Sequence, residues 1–212
     1  MVAAPSTQLG VRSLQVCGSP ARSSASKRNQ VHLSAGSIVP LLKNSFWFVN
    51  SGMVKLGAVT EQGDELLLGL VGPNEPFGEP LTMVEAYEAV TLTDCHLTCL
   101  TYDEIASEPE LMASMVKAIG ARLRQADFLL ALLGLRRVED RVRGFLELLA
   151  NEYGEPCDRG LRIGLRLTHQ DIASALSTTR VTVTRVIGQL KEQGWLAIDG
   201  RRHLVVSHLP RR

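Results

Sequence analysis

Residues 167–190 read LTHQDIASALSTTRVTVTRVIGQL, and this stretch decides the fold. Thr168 with Asp171 three positions on has the pattern of a capping box, Asp standing where Glu is usual, and opens a first helix. Ile172, Ala173 and Leu176 share its apolar face, and the small Ala173 lets a second helix come close. Ser177 falls at the tight turn, where a left-handed residue other than glycine costs about 1 kcal/mol. The second helix is expected from about Thr179 to Leu190. Val183, Val186 and Ile187 then face inward, Arg180, Val181 and Arg185 outward, with Thr182 and Thr184 beside them.

That outward set suits DNA. An arginine can donate two hydrogen bonds to O6 and N7 of guanine, and a valine can touch a thymine methyl. Arg180 and Arg185, five positions apart, lie about 140° apart around a helix, so both can enter one groove. Thr168, His169, Gln170, Thr179, Thr182 and Thr184 crowd the starts of the two helices, where N–H groups and the helix dipole favour phosphates.

The flanking sequence frames this pair. Downstream, Trp195–Ile198 and His203–Val206 read as a hairpin whose Asp199-Gly200 predicts a two-residue type I′ turn, with both turn residues at positive φ. Arg201 and Arg202 follow it and would reach the DNA backbone as a wing. Upstream, VEDRVRGFLELLANEYG is an amphipathic helix stopped at Gly154, PCDRG a loop and LRIGLRL a short strand. Residues 136–212 thus read as a winged-helix DNA-binding domain.

Residues 108–135 are read as a dimerisation helix. Met112, Val116, Ile119, Leu123, Ala126, Leu130 and Leu133 recur every three or four positions, a heptad seam suited to a second copy. Met115, Leu129 and Leu132 widen the stripe, so another face can be buried on the chain's own domains. Residues 31–107 are strand-like: SFWFVNSGMVKLGAV, GDELLLGLVGPNEPFGEP and EAVTLTDCHLTCLTY predict a small antiparallel β-roll. Residues 1–30 are rich in Ser, Ala and Arg without an apolar signal core, and read as a flexible tail. The fold class is α+β.

Charge follows the same division. Residues 136–212 hold 14 Lys/Arg against 9 Asp/Glu, whereas residues 31–135 hold 5 against 13. A basic C-terminal segment after an acidic body fits a polyanion-binding module joined to a sensing one. No apolar run reaches the ~18 residues of a membrane span. Four cysteines, Cys17, Cys95, Cys99 and Cys157, form no CxxC pair, which fits reduced thiols in a cytoplasmic chain. Cys95 and Cys99, alternating with Leu97, read as small core residues. His96 and His169 have no partner at ligand spacing, so no metal site is expected, and no nucleophile–base constellation marks an enzyme.

The order of roll, long helix and winged helix resembles the Crp/Fnr superfamily of transcription regulators over roughly residues 31–208. LTHQDIASALSTTRVTVTRVIGQL and NEYGEPCDRGLRI are most similar to the nitrogen-control regulators of cyanobacteria. The resemblance implies a cytoplasmic homodimer on palindromic double-stranded DNA, half-sites one helical turn apart, with guanine recognition by Arg180 and Arg185. Val181 stands where the cyclic-AMP receptor type has Glu, which favours a GTA-type over a TGTGA-type half-site. RNA polymerase or a regulatory protein are the further partners it implies, in nitrogen or metabolic control. An iron–sulfur sensor of this superfamily needs four thiolates near the N-terminus, and only Cys17 lies there.

For the effector the resemblance points to Phe77, Gly78, Glu79 and Pro80, the start of the family's phosphate cassette, and to Arg122 and Asp127 on the long helix. Cyclic AMP is disfavoured. The segment EAYEAV has no arginine, Glu85 and Glu88 would repel a phosphate, and the adenine-contact positions fall on Ala126 and Asp127. The Arg122–Asp127 spacing matches 2-oxoglutarate binders better, but the second clamping arginine aligns near Glu85. An unknown ligand or no effector at all remains open. The competing function is an effector-binding or protein-docking module whose winged helix no longer reads specific DNA.

Overall fold

Strand β2, Ser45–Ser51, is buried from Ser45 through Val49 without alternation, so both of its faces are covered. The computed structural model describes residues 29–207, and residues 1–28, with most of the expected tail and Cys17, lie outside them. The chain divides into two compact units between Leu123 and Arg124.

In the first unit, β1 (Asn29–Leu33), β7 (Cys95–Thr101), β2 and β5 (Pro76–Phe77) form one sheet in the order β1-β7-β2-β5. A second sheet runs β4 (Glu65–Val71), β3 (Val54–Val59), β6 (Tyr87–Thr91). Their facing sides share a core of Trp47, Val49, Cys95 and Leu97 against Val54, Leu56, Val71 and Ala89. This is the antiparallel roll expected from the strand pattern. On the other side of β2, Phe46 and Phe48 join Leu100, Ile105 and Met115 in a second cluster. Two helices supply that cover. Helix α1 (Tyr102–Ser107), which the strand pattern concealed, opens with a complete capping box between Thr101 and Glu104. Helix α2 runs Pro109–Leu133.

Cys95 and Cys99 are buried in the roll, where desolvation pushes both thiols up. The register also pairs His32 of β1 directly with His96 of β7, and both are exposed. The two lie 64 positions apart in sequence, so no local spacing marks the pair.

The second unit takes the C-terminal end of α2, where Leu129 and Leu132 are buried, and α3 (Val138–Tyr153). Gly144 of α3 makes room for Leu132 of α2, since a Cβ there would lie 2.5 Å from Leu132 Cδ2. Helices α4 (His169–Ala175) and α5 (Arg180–Glu192) follow. A four-stranded antiparallel sheet completes the unit in the order β10 (Leu196–Ile198), β11 (Leu204–Val206), β9 (Gly160–Ile163), β8 (Gly154–Cys157). The segment PCDRG read as a loop thus takes in Pro156 and Cys157, the last two residues of β8, which is hairpinned to β9.

The hairpin of β10 and β11 differs from the expected type I′ turn. Among its loop residues the positive φ belongs to Arg202, at 66°, rather than to Asp199 and Gly200. The Asp199 carboxylate explains this. Its Oδ1 accepts from the Arg201 and His203 N–H groups, both at 2.8 Å, while the Arg202 N–H donates to Asp199 O at 3.0 Å. A side chain that bonds its own following backbone starts a longer turn and moves the left-handed residue to its end. No helix among the described residues is long and apolar enough to cross a membrane.

Candidate nucleic-acid interface

Both helices of the 168–192 segment are fixed at their starts by threonine. Thr168 Oγ1 accepts from the Asp171 N–H at 3.0 Å, and Asp171 Oδ2 accepts from the Thr168 N–H at 2.9 Å and from its hydroxyl at 2.7 Å. The Asp variant of the capping box therefore closes fully. Thr179 Oγ1 accepts from the Thr182 N–H at 3.2 Å and caps α5. Between them Ser177 takes φ 46°, the left-handed conformation expected at the turn. Ile172, Ala173, Leu176, Val183, Val186, Ile187 and Leu190 form the buried side. Arg141 of α3 donates to Leu176 O at 2.9 Å and so ties the end of α4 to the domain. Nothing in the spacing of the sequence marks Arg141 for this.

What remains outside is the set a groove would meet. Arg180, Val181, Thr184 and Arg185 are exposed, with Val181 79% accessible. Arg185 donates to Gln189 Oε1 at 3.1 Å, which holds its guanidinium along the helix. Gln170 donates to Ser174 Oγ at 3.3 Å on the outer side of α4. His169 Nδ1 lies 2.8 Å from Thr184 Oγ1, linking the start of α4 to the middle of α5. Burial and the Arg180 charge both lower the His169 pKa. Arg201 stands exposed at the tip of the wing, and its carbonyl accepts from Arg166 at 3.3 Å. Asp199 is held below the usual carboxylate range chiefly by the His203 N–H. Every residue expected at the DNA surface lies in this one unit.

The expected effector residues are less united. Phe77 is buried, and Gly78 takes φ 143° where a Cβ would lie 2.9 Å from Ser45 O. Glu79 and Pro80 begin a 3-10 turn, Glu79–Leu81. Arg122 donates to Leu70 O at 3.0 Å. Asp127 is exposed on the far side of the division between the two units. Sequence reasoning missed Tyr87, which bonds the Gly78 backbone and lies within the field of the Arg122 charge. Burial pushes its pKa up to about 12, against the opposing pull of Arg122 and a hydrogen bond with the Gly78 backbone. Glu85 and Glu88 are exposed.

The geometry agrees with what the chain is similar to. Residues 123–211 match the model of a Crp-like helix-turn-helix domain, and residues 27–108 that of a cyclic nucleotide-binding domain. The global nitrogen regulator of Nostoc sp. is 32% identical over 174 residues, 77% of each chain. The regulatory protein CysR of Synechococcus elongatus is 34% identical over 160 residues, 74% of each. A CRP/FNR-family transcriptional regulator from Thermus thermophilus superposes with a TM-score of 0.69 at 28% identity, covering 85% of this chain and 94% of its own.

Proposed function

The chain belongs to the Crp/Fnr family and is a DNA-binding transcription regulator, and from that premise we propose that it works as a homodimer on a palindromic promoter site. The observation that carries the proposal is the exposed seam of α2. Val116, Leu123 and Leu130 are 64%, 61% and 70% accessible, and Ile119 and Leu133 are exposed beside them. Met115, Leu129 and Leu132 meanwhile are buried within the chain. A heptad stripe left open along a 25-residue helix suits the same stripe on a second copy. Two copies related by a twofold axis present two α5 helices, and such a pair reads two half-sites about one DNA turn apart. Arg180, Val181 and Arg185 read bases. Thr168, His169, Gln170, Thr179, Thr182, Thr184 and Arg201 meet phosphates. RNA polymerase, or a regulatory protein, is the partner through which binding is converted into control.

The N-terminal roll is of the cyclic-nucleotide-binding type, which implies a small-molecule effector. We favour a small dicarboxylate of the 2-oxoglutarate class over a cyclic nucleotide. Arg122 supplies one cation whose charge reaches Tyr87, whereas the exposed Glu85 and Glu88 oppose a cyclic phosphate. Selection of bound sequences from random DNA, repeated with 2-oxoglutarate and with cyclic AMP, tests both parts. A palindromic consensus, bound more tightly with 2-oxoglutarate and equally with or without cyclic AMP, is expected. A non-palindromic consensus would contradict the dimer, and indifference to 2-oxoglutarate the effector.

A further inference from the structure

The histidine pair on the outside of the roll has no part in DNA binding or in the effector reading. His32 and His96 are register partners on adjacent antiparallel strands, and their ring centroids are 4.6 Å apart at an interplanar angle of 45°. Val31 and Leu33 on one strand, and Cys95 and Leu97 on the other, turn into the core. The imidazoles must therefore point outward, since neighbouring strand residues alternate faces. Helices α1 and α2 cover this sheet at its Phe46–Leu100 end and leave the histidine end open.

We propose that His32 and His96 form a two-histidine chelate for a divalent late first-row metal ion of the zinc, nickel or copper class, with water completing the shell. A metal–nitrogen bond of about 2.0–2.1 Å puts each ring centroid about 3.2 Å from the ion, so two imidazoles bound at 90–109° have centroids about 4.5–5.2 Å apart. The observed separation falls inside that range before any ion arrives. Neutral imidazole is the ligand that suits these metals, while magnesium and calcium prefer oxygen. Exposed Asp94, two positions before His96, adds negative charge at the same edge. The chelate would fasten β1, the outer strand of its sheet, to β7.

The full chain is dialysed against nickel(II) or copper(II) at pH 7.5 and its bound metal measured, alongside H32Q, H96Q, and the controls H203Q and C157S. One equivalent per chain is expected at this site. Either pair variant weakens it at least tenfold, and both controls retain it. Because the ion binds only the paired strands, it raises the thermal midpoint of the wild type and not of H32Q or H96Q, while magnesium raises neither. Metal-free melts of the variants matching wild type show that both are folded. Binding that is undiminished in H32Q and H96Q, or wild type that binds no nickel or copper at millimolar concentration, overturns the proposal.

Discussion

His169 donates through Nδ1 to Thr184 Oγ1 at 2.8 Å, because the Thr184 hydroxyl proton is already given to Arg180 O at the same distance. The neutral ring is thereby fixed with its proton on Nδ1 and a lone pair on Nε2. Against a phosphate that lone pair is unhelpful, but a protonated Nε2 donates. Free His169 has a lowered pKa, from burial first and Arg180 second, and a phosphate would raise it.

DNA binding should therefore take up a proton. The sign follows from linkage. The complex binds more protons than the free chain between the two pKa values, so affinity rises as pH falls from 8 to 6 and is lost as pH rises through the bound pKa. Fluorescence anisotropy at fixed salt should show a severalfold tightening, and H169Q should flatten the profile. An equally steep profile in H169Q would place the proton elsewhere.

Arg180→Ala should cost about 1–3 kcal/mol of specific binding and relax one base position, with Arg185→Ala relaxing another. A variant that loses affinity uniformly across all sequences would instead mark that arginine as a phosphate contact.

The seam of α2 predicts assembly. Burying a leucine is worth about 1.5–3 kcal/mol, and twofold symmetry doubles the loss, so Leu123→Glu or Leu130→Glu should weaken the dimer by about two to four orders of magnitude. Sedimentation velocity should find the wild type dimeric and both variants monomeric at micromolar concentration. Unchanged sedimentation would mean that the exposed stripe has another occupant.

Ser177 predicts a gain. At φ 46° it bears a left-handed penalty that glycine escapes. Ser177→Gly should raise stability by about 0.5–1 kcal/mol, seen as a higher thermal midpoint. In contrast, Thr168→Ala should cost about 1 kcal/mol by opening the capping box.

The helices and their faces were legible because their signals are local. Thr168 with Asp171, the inward Val183, Val186 and Ile187, and the turn at Ser177 all follow from spacings of a few residues. The roll was legible as strands, though α1 was not, because six residues are too few to show a helical period; only the Thr101–Glu104 capping box marks its start. The wing turn was misread, because Asp199-Gly200 has the residues of a type I′ turn while the Asp199 side chain selects a longer one. Contacts made only by folding stayed hidden. Arg141 on Leu176 O, Tyr87 on the Gly78 backbone, and His32 opposite His96 join positions that no short pattern connects.

The central claim is that two copies read one palindrome through α5. Selection from random duplex DNA, followed by the mass of the selected complex, tests it directly. The account predicts an inverted repeat bound by two chains, with the preference at one base of each half-site relaxed on Arg180→Ala. Unselected DNA bound as tightly as the enriched site at moderate salt, or one chain per site, would contradict it.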